Sequence, residues 1–125
     1  MFTMDPVTRD PNRIVVEAVF GLGEGIVSGE LTPNHYVLDR ETGAIVEEIV
    51  APQSVAIVCD PSGGTKAIEL DQAVGSQHVV QAIELERLRS LGLSLEQCFG
   101  RPQDVEWCVC DGEVLVLQSR PITTR

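Results

Sequence analysis

The sequence predicts an α+β fold of mainly antiparallel strands with one or two helices, and two observations carry that prediction. Short runs rich in Val, Ile and Leu recur along the chain, separated by Gly- and Asp-containing turns of the kind that close hairpins. A single stretch, about residues 72–91, shifts to Ala, Gln, Glu, Leu and Arg, with Glu84/Arg87 and Glu86/Arg89 pairs at helical spacing. With 125 residues, 43% of them hydrophobic, the chain is expected to form a single domain, 1–125, around one core.

Taken in order, residues 4–12 hold two prolines among polar residues and read as a loop. Residues 14–20 form a strand whose apolar side chains on both faces predict burial between layers. Gly21-Leu22-Gly23-Glu24-Gly25 follows at once, but Ile26, or Ser28 in the shifted frame, stands where a dinucleotide-binding fingerprint needs its third glycine. No Walker lysine follows Gly63-Gly64, so a P-loop is excluded as well. Residues 35–40 and 44–50 predict a hairpin around Glu41-Thr42-Gly43, and residues 55–59 and 65–70 a second around Pro61-Ser62-Gly63-Gly64. The helix over 72–91 is expected to end at Gly92. Ser94-Leu95-Glu96-Gln97 reads as a capping box that opens a short second helix, closed by Gly100 and Pro102.

A formal charge of −10, with Lys66 the only lysine, opposes binding to nucleic acid or to an anionic membrane surface, both of which need clustered cations. Such a field attracts a divalent cation rather than bare phosphate. No apolar run approaches the length of a membrane span and the start lacks the plan of a signal peptide, so the expected compartment is cytoplasmic. Cys59, Cys98, Cys108 and Cys110 lack the paired spacing of a zinc site and are expected to be free, buried thiols. His35 and His78 stand near no carboxylate or nucleophile motif and read as surface or packing residues.

The last twenty-odd residues carry the candidate chemistry. Two β-rich runs flank Asp111-Gly112, a strong hairpin signal. A two-residue loop at Asp111-Gly112 would pair Glu106 with Leu117 and turn it away from Gln118. A three-residue loop, Cys110-Asp111-Gly112, reverses the parity: Glu106, Gln118 and Arg120 then share one face, and Val105, Trp107, Val109, Leu115 and Leu117 form an apolar face opposite. The hydrophobic pattern therefore predicts the odd loop, with Trp107 directed into the core. A carboxylate, an amide oxygen and a guanidinium on one face suit Mg²⁺ and phosphate, since Mg²⁺ takes few protein oxygens and Arg offers a planar fork. A solvated strand face with three ordinary polar residues fits the same pattern, and the pattern leaves both open.

Gln103-Asp104-Val105-Glu106-Trp107 followed by Leu117-Gln118-Ser119-Arg120-Pro121-Ile122-Thr123 resembles the end of the PEP/pyruvate-binding, ATP-grasp-type domain of the phosphoenolpyruvate synthase, pyruvate phosphate dikinase and rifampin phosphotransferase family. The opening, Met1-Phe2-Thr3-Met4-Asp5-Pro6, then Ala18-Val19-Phe20-Gly21-Leu22-Gly23-Glu24, Val27-Ser28-Gly29 and Pro33-Asn34-His35-Tyr36, is similar to that family in the same order. The resemblance implies the carboxyl-terminal subdomain of an ATP-grasp fold, with the glycine loop in its core. It implies Glu106 and Gln118 as Mg²⁺ ligands and Arg120 as the catalytic contact to ATP phosphates. The implied reaction passes a phosphoryl group from ATP to a histidine on a separate swivelling domain, and from there to pyruvate or another acceptor. It also implies that an amino-terminal ATP-grasp half, with its phosphate-binding lysine and adenine cradle, lies outside this chain, so that the chain alone is inactive. A second class stays open: a non-catalytic ATP-grasp remnant serving as a binding or scaffold module. The acceptor is not written in these residues.

Overall fold

The computed structural model describes residues 1–27 and 31–123, and the Ser28 and Gly29 positions of the opening motif lie outside the described residues. The elements run β1 (Arg13–Ala18), α1 (Glu24–Val27), β2 (Asn34–Asp39), β3 (Ile45–Ile49), β4 (Val55–Cys59), β5 (Thr65–Glu69), α2 (Gln72–Gly75), α3 (Ala82–Phe99), β6 (Gln103–Cys110) and β7 (Glu113–Pro121). This is the α+β composition that the sequence predicts. The strands form one sheet of order β1-β2-β3 and two hairpins, β4-β5 and β6-β7. The chain divides into two compact units, one of Met1–Val16, Tyr36–Glu47 and Gln81–Arg125, the other of Glu17–His35 and Glu48–Val80.

In the first unit, residues 1–3 lie between β1 and β6. Phe2 exchanges backbone hydrogen bonds with Val15 at 2.7 and 2.9 Å, Thr3 N–H donates to the Gln103 carbonyl at 3.0 Å, and Val105 N–H donates to the Met1 carbonyl at 2.7 Å. Ile14, Val16, Tyr36, Leu38, Leu85, Leu88 and Val105 form its buried core. Arg40 reaches Glu96 of α3 through two hydrogen bonds of 2.9 and 3.0 Å.

The long helix departs from expectation at both ends of the 72–91 stretch. α3 is one helix of 18 residues that runs through Gly92. Gly92 is there for close packing: a Cβ added to it would lie 3.1 Å from both Met1 Cε and Thr3 Cγ2. A mid-helix glycine costs about 1 kcal/mol, too little to break a helix whose Leu85, Leu88 and Gly92 face is buried. Ser94 is therefore interior. The start is capped instead at Gln81, whose N–H donates to the Glu84 carboxylate at 2.7 Å, and Gly100 closes the end in a left-handed conformation with φ 74°.

The second unit explains why residues 72–81 are not part of that helix. α2 is a single turn N-capped by the Asp71 side chain. Its Gly75 carbonyl accepts the Gln53 N–H at 2.9 Å, so close that an added Cβ would meet the Gln53 carbonyl oxygen at 1.8 Å. Asn34 then accepts the Val79 N–H through Oδ1 at 3.1 Å, which ties down the bend that precedes α3. Buried Gln53 donates to the Phe20 carbonyl at 2.8 Å and accepts the Phe20 N–H at 3.0 Å, closing a strand-like pair with a side chain. The glycine loop approaches β4 closely. Gly21, at φ 83°, bridges to Ile57, and its Cβ would lie 2.5 Å from the Ile57 carbonyl oxygen.

Two expectations about side chains are corrected. The thiols are free, but Cys59, Cys98 and Cys110 are exposed and only Cys108 is half-buried, because they sit at strand ends and on outward faces. Each histidine has a carboxylate beside it: His35 Nδ1 lies 3.7 Å from Glu17, and His78 Nε2 lies 3.2 Å from Glu48. These partners are distant in sequence and are brought up by tertiary folding. Among the described residues no helix is long and apolar enough to cross a membrane.

Candidate functional site

The site is built on β6 and β7. Cys110 pairs with Glu113, so the loop is the two residues Asp111 and Gly112, and their φ values of 52° and 78° are those of a type I′ turn. The three-residue loop expected from the sequence is thus not formed. Aspartate tolerates the left-handed region and glycine is at ease in it, so the tighter turn, whose twist matches that of the strands, wins. Arg87 of α3 fixes the tip by donating to the Gly112 carbonyl at 2.9 Å.

The parity is reversed elsewhere. The register shifts between Glu106 and Trp107: Trp107 pairs with Val116 and Glu106 pairs with Gln118, which leaves Leu117 as the extra residue of a β-bulge. The expected shared face of Glu106, Gln118 and Arg120 therefore exists. Glu106 stands directly opposite Gln118, and Arg120 directly opposite Asp104. The inner face differs from expectation. It carries Val105, Trp107, Val109, Val114 and Val116, with Trp107 half-buried, whereas Leu115 and Leu117 are 43% and 65% exposed.

Glu106, Gln118 and Arg120 are all exposed. Among the described residues no hydrogen bond or ion pair engages the Glu106 carboxylate or the Gln118 amide. Arg120 donates to Asp104 Oδ2 from Nε and from Nη2, each at 3.2 Å. With the Arg120 side chain 65% exposed, this pair contributes under about 1 kcal/mol to stability, and its effect is to orient the fork. In the sequence Asp104 stands within the motif with no role of its own. Its spacing of two from Glu106 could have shown that it shares the face.

Beneath this face the hairpin is anchored by buried polar groups. Gln103, only 1% exposed, donates its N–H to Thr3 Oγ1 at 2.8 Å, and its side-chain oxygen accepts the Ser119 hydroxyl at 2.9 Å. Ser119 lies between Gln118 and Arg120, so the lock acts where the site needs it.

A cleft of about 740 Å³ in the first unit is lined by Arg40, Glu41, Arg89, Glu96, Arg101 and Pro102, among others. Two of its arginines are already engaged. Arg40 binds Glu96, and Arg89 donates to Glu86 from Nε at 2.9 Å and to the Arg40 carbonyl at 2.8 Å. The Arg89 hydrogen bond holds the Glu86 carboxyl below its ordinary range and raises Arg89 in return. The cleft lacks the paired free oxygens of the hairpin face.

Among the described residues no group of three or more His, Cys, Asp or Glu side chains is arranged to hold a metal. A fully protein-ligated centre is not what the hairpin offers. Two free side-chain oxygens at directly opposed positions do fit Mg²⁺, which keeps several waters and binds through one or two carboxylates together with substrate phosphates.

Comparison with known proteins gives this arrangement a family. The model for the pyruvate phosphate dikinase AMP/ATP-binding domain matches residues 1–125. A probable phosphoenolpyruvate synthase of Archaeoglobus fulgidus is 42% identical over 124 residues, which are 99% of this chain and 16% of that protein. One from Methanocaldococcus jannaschii is 38% identical over 124 residues, 99% of this chain and 10% of that protein. The rifampicin phosphotransferase of Bacillus cereus is 35% identical over 124 residues, 99% of this chain and 14% of the relative. The chain thus spans between a tenth and a sixth of the length of these relatives, and it belongs to the family of the pyruvate phosphate dikinase AMP/ATP-binding domain.

Proposed function

We propose that residues 1–125 are the carboxyl-terminal part of an ATP-grasp-type domain that binds Mg²⁺ and ATP within a phosphotransferase of the phosphoenolpyruvate synthase type. The observation that carries this reading is the direct opposition of Glu106 and Gln118, both exposed and without partners among the described residues, with Arg120 on the same face and oriented by Asp104. Glu106 and Gln118 would hold the metal, and Arg120 would present its fork to phosphate oxygens. Held there, Mg²⁺ would supply positive charge against the charge that develops on the transferred phosphoryl group. The chain's own contribution is positional: the Thr3–Gln103–Ser119 lock and the Arg87 grip on the turn hold the strands in register. The acceptor in this reading is a histidine on a separate domain, and the phosphate-binding lysine and adenine cradle belong to a preceding half of the ATP-grasp fold.

A chain that offers only the metal and phosphate side of the pocket should bind ATP weakly. Calorimetry of the chain with ATP and Mg²⁺ is expected to give a dissociation constant near 1 mM, about 4 kcal/mol, and no heat of binding when Mg²⁺ is chelated. Micromolar affinity, or affinity indifferent to Mg²⁺, would show that the pocket lies elsewhere.

A further inference from the structure

The β6–β7 hairpin could take up its extra residue in two ways. A loop over residues 110–112 with a regular ladder would pair Val109 with Glu113, Trp107 with Leu115, Val105 with Leu117 and Asp104 with Gln118. That arrangement also keeps Glu106, Gln118 and Arg120 on the outer face, and it turns Leu115 and Leu117 inward. The observed hairpin instead joins a two-residue turn to a bulge at Leu117. The two registers differ by a slide of one residue between the turn and the bulge and of two residues beyond it, so the shared face of Glu106, Gln118 and Arg120 does not distinguish them. The difference lies in which residues meet. Gln118 is opposite Glu106 in the observed register and would be opposite Asp104 in the other; Arg120 is opposite Asp104 and would be opposite Pro102.

We infer that the combination of the tight turn and the bulge at Leu117 is a positioning device that sets Gln118 against Glu106 and reserves Asp104 for Arg120. The inference rests on the reading of Glu106 and Gln118 as the metal-holding pair. The hairpin leaves two leucines 43% and 65% exposed that the regular ladder would turn to the inner face. Bulges are frequent beside functional sites, where they re-aim a side chain. Both ends of the hairpin are fixed independently, the tip by Arg87 on the Gly112 carbonyl and the base by the Gln103–Ser119 hydrogen bond. The extra residue is therefore absorbed between them, next to Gln118. In the slid register Arg120 would lose the carboxylate that now orients it, and Asp104 would replace Glu106 as the carboxylate facing the amide.

The test is nuclear magnetic resonance of the labelled chain, reading cross-strand contacts of Gln118 and the broadening of its side-chain amide by Mn²⁺ in the presence of ATP. Cys110→Pro with Asp111→Ala removes a strand N–H and disfavours the positive φ at 111, which moves the turn toward three residues. The expected result is replacement of the Glu106–Gln118 contact by an Asp104–Gln118 contact, with Mn²⁺ broadening at least tenfold weaker. Should that variant fail to fold, Val114→Thr with Val116→Thr leaves the turn residues unchanged in sequence and makes Leu115 and Leu117 the apolar pair; the same slide and the same loss are expected. Leu115→Thr should preserve both readouts. The proposal is overturned if the strand slides with Mn²⁺ broadening undiminished, or if both altered hairpins keep Gln118 against Glu106. A Glu106–Gln118 contact in the unaltered chain with no Mn²⁺ effect on Gln118 would instead sink the metal reading, so the two failures are told apart.

Discussion

In a complete enzyme carrying this domain, Glu106→Gln is expected to lower phosphoryl transfer from ATP by about 100-fold, the loss of nearly 3 kcal/mol of stabilisation, while the protein stays folded. The substitution keeps the shape of the side chain and removes the charge that would face the metal. Glu106 is exposed and makes no hydrogen bond among the described residues, so its effect on stability should stay within about 0.5 kcal/mol. Arg120→Lys is expected not to preserve activity either, because an ammonium cannot reproduce a planar fork held by Asp104 from two nitrogens. The assay is phosphorylation of the acceptor histidine from labelled ATP, run beside thermal melts. Near-normal transfer by Glu106→Gln would remove that residue from the mechanism, and loss of activity matched by loss of folding would leave it only a structural role.

Gly75→Ala is expected to have the largest effect on folding. The new Cβ would lie 1.8 Å from the Gln53 carbonyl oxygen, a backbone atom that cannot swing aside as a flexible side chain can. Relief requires breaking the 2.9 Å hydrogen bond from Gln53 N–H to the Gly75 carbonyl and shifting the buried Gln53. The cost should reach about 3 kcal/mol, a fall in melting temperature of roughly 10 °C for a chain of this size. Gly23→Ala is the matched control, since a Cβ there meets nothing within 4 Å. A Gly75→Ala melt indistinguishable from that of Gly23→Ala would show that the 52–54 segment moves aside freely.

The outer face of the hairpin was legible in the sequence because the polar positions of β6 and β7 alternate with apolar ones. Which residues stand opposite each other was not legible. Two solutions, an odd loop or a tight turn with a bulge, satisfy the same alternation, and the choice depends on backbone twist at Asp111-Gly112 and on the grip of Arg87, which is 25 residues away. The hairpins β2-β3 and β4-β5 followed from their turn residues, which act locally. Gly92 misled for the opposite reason: a glycine that reads as a terminator serves here as a contact surface for Met1 and Thr3, more than 85 residues distant in sequence. The same holds for the short α2, whose end is set by Gln53 and Asn34 rather than by its own sequence. Asp104 escaped because a carboxylate in a motif has no visible partner until the register places Arg120 across from it.

The most direct measurement is anomalous scattering from Mn²⁺ in crystals of the protein grown with ATP. One ion is expected, bound to a carboxylate oxygen of Glu106 and the amide oxygen of Gln118, each at about 2.2 Å, with the remaining ligands from phosphate and water and with Arg120 on a phosphate oxygen. An ion held by phosphates and water alone, or by residues away from the β6–β7 hairpin, would contradict it.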